Sequence, residues 1–278
     1  MSPEYTGSGE ARRSLELLWG VRRTPRRGPK PGLDVERIVA AAIELADREG
    51  LDALSMRAVA ASLRVSPMSL YTYVPAKAEL LDLMVDAVFG EQAAALADVL
   101  SAPHGDPDGS GVPPWRARLE ARARVDWDLC LRHPWLTQVS SSRAVLGPNE
   151  TLVLDRSLQV VSGIGLAARD MVAVVDAMSL FVTGAARRAV EIAEGPRRTG
   201  KTDDEWWLER EPLMDEMYDW SRFPTLLAVG EAGGFEEPAG TVSYLMKFLV
   251  DDFEFGLQRM LDGIEAFVTA QAGRGASA

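Results

Sequence analysis

Residues 54–77 read LSMRAVAASLRVSPMSLYTYVPAK, and the reading of this stretch decides the fold. Leu54, Val59 and Leu63 place apolar side chains along one side of a short helix. Arg64-Val65-Ser66 supplies a turn. Ser66 before Pro67 marks a second helix start: a serine hydroxyl can accept an orphan N–H, and proline at the first helical position gives up a donor that has no partner there. The second helix covers 67–73 on this reading. Val65, Leu70 and Val74 face inward, and Met68, Ser69, Tyr71, Thr72 and Tyr73 face out.

The outward set suits a helix lying in the DNA major groove, where residues near the helix N-terminus reach base edges. Hydroxyls can bond bases or phosphates, Met68 can touch a thymine methyl, and tyrosines reach phosphate oxygens. Arg57 and Lys77 bracket the unit with positive charge. Two core helices joined by a tight turn would show the same bare pattern, so the flanks matter.

Working outward, residues 34–49 predict a helix. Val35, Ile38, Val39, Ala42, Ile43 and Ala46 follow the i, i+3, i+4, i+7 rule, Asp34 can cap the start, and Gly50 ends it. A long helix over 76–100 follows the turn unit and would link it to the remaining chain. In this order the residues resemble the TetR family of transcriptional repressors. The likeness runs from about Val35 to Leu83: VERIVAAAIELADREG, LDALSMRAVAASL, VSPMSLYTYV, then KAELLDLMVD. The C-terminal part is similar to the regulatory domain of the tetracycline-repressor branch, through RHPWL at 132–136 and DDFEFGLQRMLDGIEAFV at 251–268.

The resemblance implies DNA contacts from Arg57, from Ser66, Met68, Ser69, Tyr71, Thr72 and Tyr73, and from Lys77 at the start of the fourth helix. One position departs from the family pattern. Arg64 stands in the turn where glycine is usual. If the backbone there is left-handed, arginine costs roughly 1 kcal/mol relative to glycine.

The 278 residues suffice for two domains, and 47% hydrophobic content is ordinary for a globular chain. The single cysteine, Cys130, excludes an intramolecular disulfide and suits the cytosol. The N-terminus lacks the apolar segment of a secretory signal, and no apolar run approaches the roughly 20 residues of a membrane span, so a cytoplasmic location is expected. A net charge of −11 is unusual for a DNA-binding chain, but it is unevenly spread. Residues 1–80 carry 12 basic and 10 acidic side chains; residues 81–278 carry 18 and 31. The acid lies outside the candidate reading head, and the local field is what meets phosphate.

Residues 1–33 hold seven basic side chains, among them Arg22, Arg23, Arg26 and Arg27, against three Glu. Residues 14–19 can form a short helix anchored by Trp19, and RRTPRRGPKPG follows. Either this is a disordered tail, or it is a basic arm that tracks phosphate or enters the minor groove beside the recognition helix.

Downstream, residues 101–114 are loop by composition. Helices are expected over 115–132, 135–142, 149–163, 168–194, 204–218 and 239–270. A loop is expected over 195–204 and a disordered tail over 271–278. No segment alternates as a strand does, so the fold class is all-α: a three-helix helix-turn-helix domain at 34–80 and a larger helical regulatory and dimerisation domain at 81–270. The last helix reads Leu245, Leu249, Phe253, Gly256, Met260, Gly263, Ile264, Phe267 along one face. Two glycines on one seam suggest close approach of another helix, since each costs about 1 kcal/mol in a helix interior.

The helices at 168–194 and 239–270 could be plain core. The resemblance implies instead that they pair with their copies in a second subunit as a four-helix bundle, giving a homodimer on a palindromic operator. The remaining helices would enclose a pocket for an unidentified small apolar effector. Candidate lining residues are Trp127, His133, Trp135, Met178, Phe181, Trp206, Trp207, Met214 and Met217, each of which could equally be core. Relatives that bind tetracycline use a His and magnesium. His133 before Pro134 also suits a capping role and the rest of that metal site has no match, so no metal and no cofactor are expected.

Two other readings use the same residues. The regulator could activate transcription or answer a protein partner. Gly163-Ile164-Gly165-Leu166-Ala167-Ala168 fits a loose dinucleotide fingerprint, which would make the chain an enzyme, but that motif needs a preceding strand and an acidic residue about 20 positions on. Residue 183 is Thr, there is no G-x-S-x-G or H-E-x-x-H, and two histidines leave little for catalysis.

Overall fold

The computed structural model describes residues 4–7, 9–21, 32–102, 112–140, 143–235 and 244–275. In chain order it contains β1 (Glu4–Tyr5), α1 (Ala11–Leu18), α2 (Val35–Glu49), α3 (Met56–Ser62), α4 (Pro67–Tyr71), α5 (Lys77–Ser101), α6 (Pro114–Arg132), β2 (Val139–Ser140), α7 (Pro148–Val160), α8 (Ala168–Thr199), α9 (Asp203–Met217), α10 (Pro224–Glu231) and α11 (Tyr244–Gly275). The fold class is all-α. Two compact units divide it, residues 1–187 with 259–278, and residues 188–258.

The reading head forms as its sequence dictates. Asp34 caps α2 by accepting the Arg37 N–H at 2.8 Å, and Gly50, at φ 83°, ends that helix. Ser55 caps α3 by accepting the Ala58 N–H at 3.1 Å. Leu54, Val59, Leu70 and Val74 are buried; Leu63 and Val65 are partly so. Arg64 adopts φ 57°, the left-handed backbone that glycine tolerates best. Two details depart from expectation. The α4 helix ends at Tyr71, not Tyr73, and the Ser66 side chain does not cap it. The Ser66 hydroxyl lies 2.9 Å from the Ser69 hydroxyl instead.

The head does not have a core of its own. Its apolar residues join Leu80, Leu81, Met84 and Val88 of α5, Leu129 of α6, Trp135 and Val145 in one cluster. The N-terminal segment joins it too. Residues 4–7 and 9–21 are docked: β1 pairs in parallel with β2, Leu18 of α1 is buried, and Thr6 Oγ1 donates to the Arg143 carbonyl at 2.6 Å. The Gly7 N–H donates to Asp82 at 2.9 Å, and the Trp19 indole N–H donates to the Leu146 carbonyl at 3.0 Å. Arg22, Arg23, Arg26 and Arg27 lie outside the described residues.

The segment expected as a helix at 135–142 is a 3-10 turn, Pro134–Gln138, followed by β2. Pro134 sets the tight turn, and the extended pair with β1 holds Val139 and Ser140 out of helical geometry. The α8 helix runs on to Thr199 through Gly195 and Pro196, where a loop is expected. Proline removes one N–H donor and need not stop a helix whose other bonds persist. The expected tail is helical as far as Gly275.

Buried carboxylates organise the junction between α5 and α7. Asp86 accepts the N–H groups of Asn149 and Glu150 at 3.1 and 2.9 Å and so caps α7 from a neighbouring helix. Burial pushes the Asp86 carboxyl above its ordinary value, with those N–H bonds pulling the other way. Asp82 is raised likewise by burial, with a contribution from the nearby charges of Glu79 and Glu150. Within the same unit Arg116 of α6 pairs with Asp262 at 2.6 Å and Glu265 at 2.7 Å on α11.

Candidate DNA interface and effector site

On the reading head, Arg57, Ser66, Met68, Tyr71 and Thr72 are exposed, and Ser69, Tyr73 and Lys77 are half-buried. Met68 shows 74% of its surface to solvent one residue into α4. A large apolar side chain gains nothing from that position in the isolated chain, and it is well placed for a groove-floor methyl. Lys77 opens α5, where the helix dipole disfavours a cation, and no side chain caps that end. Uncapped N–H groups beside a lysine form a ready phosphate contact. Leu70 and Val74, fully buried beneath, fix the face that α4 presents.

The candidate effector residues fall into separate places. Trp127 and Met178 are buried on α6 and α8, and Phe181 is half-buried on α8. His133 and Trp135 are turned to the reading head. The His133 Nδ1–H donates to the Asp47 carboxylate at 2.9 Å, and the Trp135 indole N–H donates to the same carboxylate at 2.8 Å. His133 Nε2 lies 3.4 Å from Glu91. The RHPWL motif is therefore a joint that holds α2 to the end of α6.

Within the second unit, Trp206 and Trp207 are exposed on α9 and stack edge to face at 5.0 Å, with the Arg210 guanidinium 4.1 Å above the Trp206 ring. A capping box fixes the start of that helix: Thr202 Oγ1 accepts the Glu205 N–H at 3.2 Å, and Glu205 accepts the Thr202 N–H at 2.7 Å. Met214 is half-buried, and Met217 is exposed at the end of the helix.

Sequence periodicity passes over a polar network inside the first unit. Arg122, 2% exposed on α6, donates from Nε to Ser157 Oγ at 2.9 Å and from Nη2 to Ser179 Oγ at 2.7 Å. Arg122 also pairs with Asp126 at 3.1 Å, and Gln92 of α5 donates to Asp126 at 2.5 Å. Arg122 Nη1 and Gln92 Oε1 are buried with no partner among the described residues. Each such group costs on the order of 1–3 kcal/mol. The sequence signal was the i, i+4 pair Arg122–Asp126 on an inward-facing stripe with Leu119 and Ala123. Burial raises the Asp126 carboxyl, against the pull of Arg122 and Gln92. Burial, and then the Asp126 charge, push the Cys130 thiol up to about 12, which keeps it protonated and unreactive.

A shallow cleft of about 450 Å³ is lined by Ala95, Val125, Asp128, Leu131 and Arg132. Among the described residues no group of three or more His, Cys, Asp or Glu side chains could hold a metal ion, and no helix is long and apolar enough to cross a membrane. The Gly163–Gly165 fingerprint sits in the turn between α7 and α8, with no strand before it.

Comparison with known proteins agrees with this geometry. Residues 38–84 match the family described as bacterial regulatory proteins, tetR family, and residues 107–268 match the tetracyclin repressor-like C-terminal domain. The chain is 41% identical over 275 residues to the HTH-type transcriptional repressor DrrR1 of Streptomyces coeruleorubidus, covering 99% of this chain and 93% of that protein. It is 36% identical over 155 residues to an HTH-type transcriptional regulator of Saccharopolyspora erythraea, covering 56% and 60%. Among solved structures it is similar to ActR of Streptomyces coelicolor in complex with actinorhodin, at a TM-score of 0.61 and 26% identity, covering 85% of this chain and 97% of that one. Ligand-free ActR gives a TM-score of 0.60 at 25% identity, covering 89% and 100%.

Proposed function

The chain belongs to the TetR family of bacterial transcriptional regulators, and from that premise we propose that it is a cytoplasmic repressor. It binds a palindromic operator as a homodimer and is released by a small, largely apolar effector. The observation that carries this reading is the recognition face of α4. Leu70 is fully buried under a helix that leaves Met68, Tyr71 and Thr72 in solvent. Arg57 on α3 and Lys77 on α5 flank it as phosphate contacts, with Ser66, Ser69 and Tyr73 adding hydroxyls. Arg22, Arg23, Arg26 and Arg27 form a basic segment that adds phosphate contacts beside the head.

The dimer forms through α8 and α11. Leu180 on α8 is 74% exposed, Phe255 and Phe267 on α11 are exposed, and the space beside Gly184 and Gly263 is open among the described residues. A second copy fills that space. Within its own chain α11 buries Leu249, Phe253, Leu257 and Leu261. Two heads about 34–36 Å apart then meet successive major grooves.

Release works by population shift. The α5 helix runs without a break from Lys77, at the reading face, to Gln92 and Leu96 in the regulatory bundle, so a change at its far end moves the head. Relief of repression by 100-fold needs an effector preference of about 2.7 kcal/mol for the DNA-incompetent state. That ActR has been solved with actinorhodin bound supports effector response in this fold. Selection of random duplex DNA by the purified protein at physiological salt tests the reading. A palindrome with half-sites about one turn apart is expected; folded protein with no consensus would overturn it.

A further inference from the structure

The turn of the reading head is closed by its own backbone. The Val65 N–H donates to the Ala60 carbonyl at 3.0 Å, and the Arg64 N–H donates to the Ala61 carbonyl at 3.1 Å. This pair of bonds ends α3 and sets residue 64 in the left-handed region, at φ 57°. Leu63 and Val65, on either side, pack against the core, and Ala60 is fully buried. None of these contacts uses the Arg64 side chain, and glycine would close the same turn with less strain.

That side chain has no work inside the molecule. It is exposed, and its guanidinium makes no hydrogen bond or ion pair among the described residues. Backbone strain that no internal contact repays points to a partner outside the chain. The surroundings give the sign of that partner. Residues 54–77 carry Arg57, Arg64 and Lys77 and no Asp or Glu, in a chain whose net charge is −11. The position gives its kind. Arg64 stands three residues ahead of Pro67, where α4 begins. Residues at the start of such a helix reach base edges, so one that far before it lies at the wall of the groove, which is lined by phosphate.

We propose that Arg64 is an anchor on the DNA backbone, a phosphate contact that adds affinity without reading sequence. The inference rests on the reading of the chain as a DNA-binding regulator. A guanidinium can fork onto two phosphate oxygens, whereas a lysine offers a single point charge. The turn therefore keeps arginine where glycine would relax it.

The test compares the full chain with three variants on two duplexes of equal length, the operator recovered by selection and a random sequence. Affinity is read by fluorescence anisotropy over a series of salt concentrations, and folding by thermal melting. Arg64→Asn removes the charge and keeps a residue that tolerates left-handed backbone. It should melt at or above wild type and bind both duplexes about fivefold more weakly. Its slope of log affinity against log salt should fall by about 0.9 for each copy bound. Arg64→Gly, the most relaxed residue there, should repeat both losses. Arg64→Lys keeps the charge and should keep the slope, with affinity lower by about twofold. Affinity and slope unchanged in Arg64→Asn and Arg64→Gly overturn the anchor. So does a loss confined to the operator, which would make Arg64 a reader of bases. An equal loss of slope in Arg64→Lys and Arg64→Asn also overturns it, since the charge would then have no part. If the wild type binds the operator and the variants match it, the anchor alone fails; if the wild type binds neither duplex, the regulator reading fails and the anchor falls with it.

Discussion

Asp47 and His133 meet at 2.9 Å, and the Asp47 carboxylate also takes the Trp135 indole N–H at 2.8 Å. Asp47 belongs to α2 in the reading head, and the other two follow the last turn of α6. Because a carboxylate only accepts, His133 carries its proton on Nδ1 when it bonds there. Removing the carboxylate leaves two largely buried donors unpaired, at about 1–3 kcal/mol each. Asp47→Ala should therefore lower the thermal midpoint by several degrees, and Asp47→Asn, which retains one acceptor, by less. Equal effects of the two substitutions would remove this joint from the account.

Tyr71 is exposed at the end of α4, so its truncation should not disturb packing. Tyr71→Ala should weaken operator binding about tenfold with an unchanged melting curve, as expected when one good DNA contact is removed. Unchanged affinity, read by fluorescence anisotropy, would count against α4 as the reading element.

Arg64 sits at φ 57° and is exposed. Glycine at that position relieves the backbone, so Arg64→Gly should stabilise the chain by up to about 1 kcal/mol in urea unfolding. Stability gained together with weaker affinity would identify Arg64 as a phosphate contact held at the expense of the turn. Stability gained with affinity intact would make it a tolerated strain.

The phosphate contacts proposed for Arg22, Arg23, Arg26 and Arg27 are tested by removing their charge. Replacing Arg22, Arg23, Arg26 and Arg27 by alanine should leave the melting temperature alone. It should lower the slope of log affinity against log salt by about 0.9 for each phosphate no longer neutralised. An unchanged slope would make the segment a connector only.

The carboxyls of Asp82 and Asp86 are raised by burial, which fixes the sign of their pH effect. Between the ordinary carboxylate value and the raised folded value, the folded chain binds protons that the unfolded chain does not. Their contribution to stability therefore improves as pH falls through the folded value and worsens as pH rises through it. Asp82→Asn keeps an acceptor for the Gly7 N–H and removes the buried charge. It should match or exceed wild-type stability at pH 7, and its advantage should shrink toward pH 4. An advantage that grows on acidification would contradict the assignment.

The helix-turn-helix was legible because its evidence is local. Leu54, Val59, Leu70 and Val74 announce their burial by spacing alone, and Asp34 and Gly50 mark helix ends within a few residues of the bonds they make. The joint was not legible, since Asp47 and His133 are 86 residues apart and a histidine before proline reads equally as a cap. Nor was the pairing of β1 with β2, where two residues on each side carry no alternation to detect. The Arg122 network hid in plain composition: a buried arginine looks like a surface one until the helices at Ser157 and Ser179 close over it.

The docking of the N-terminal segment has a temporal side. Thr6 and the Arg143 carbonyl that receives its hydroxyl are separated by 137 residues. During synthesis Thr6 must wait for Arg143 to be made, whereas α2, α3 and α4 can form from neighbours already made. The contacts of Gly7 with Asp82 and of Trp19 with Leu146 thus close late, after the segments on both sides of them have been made.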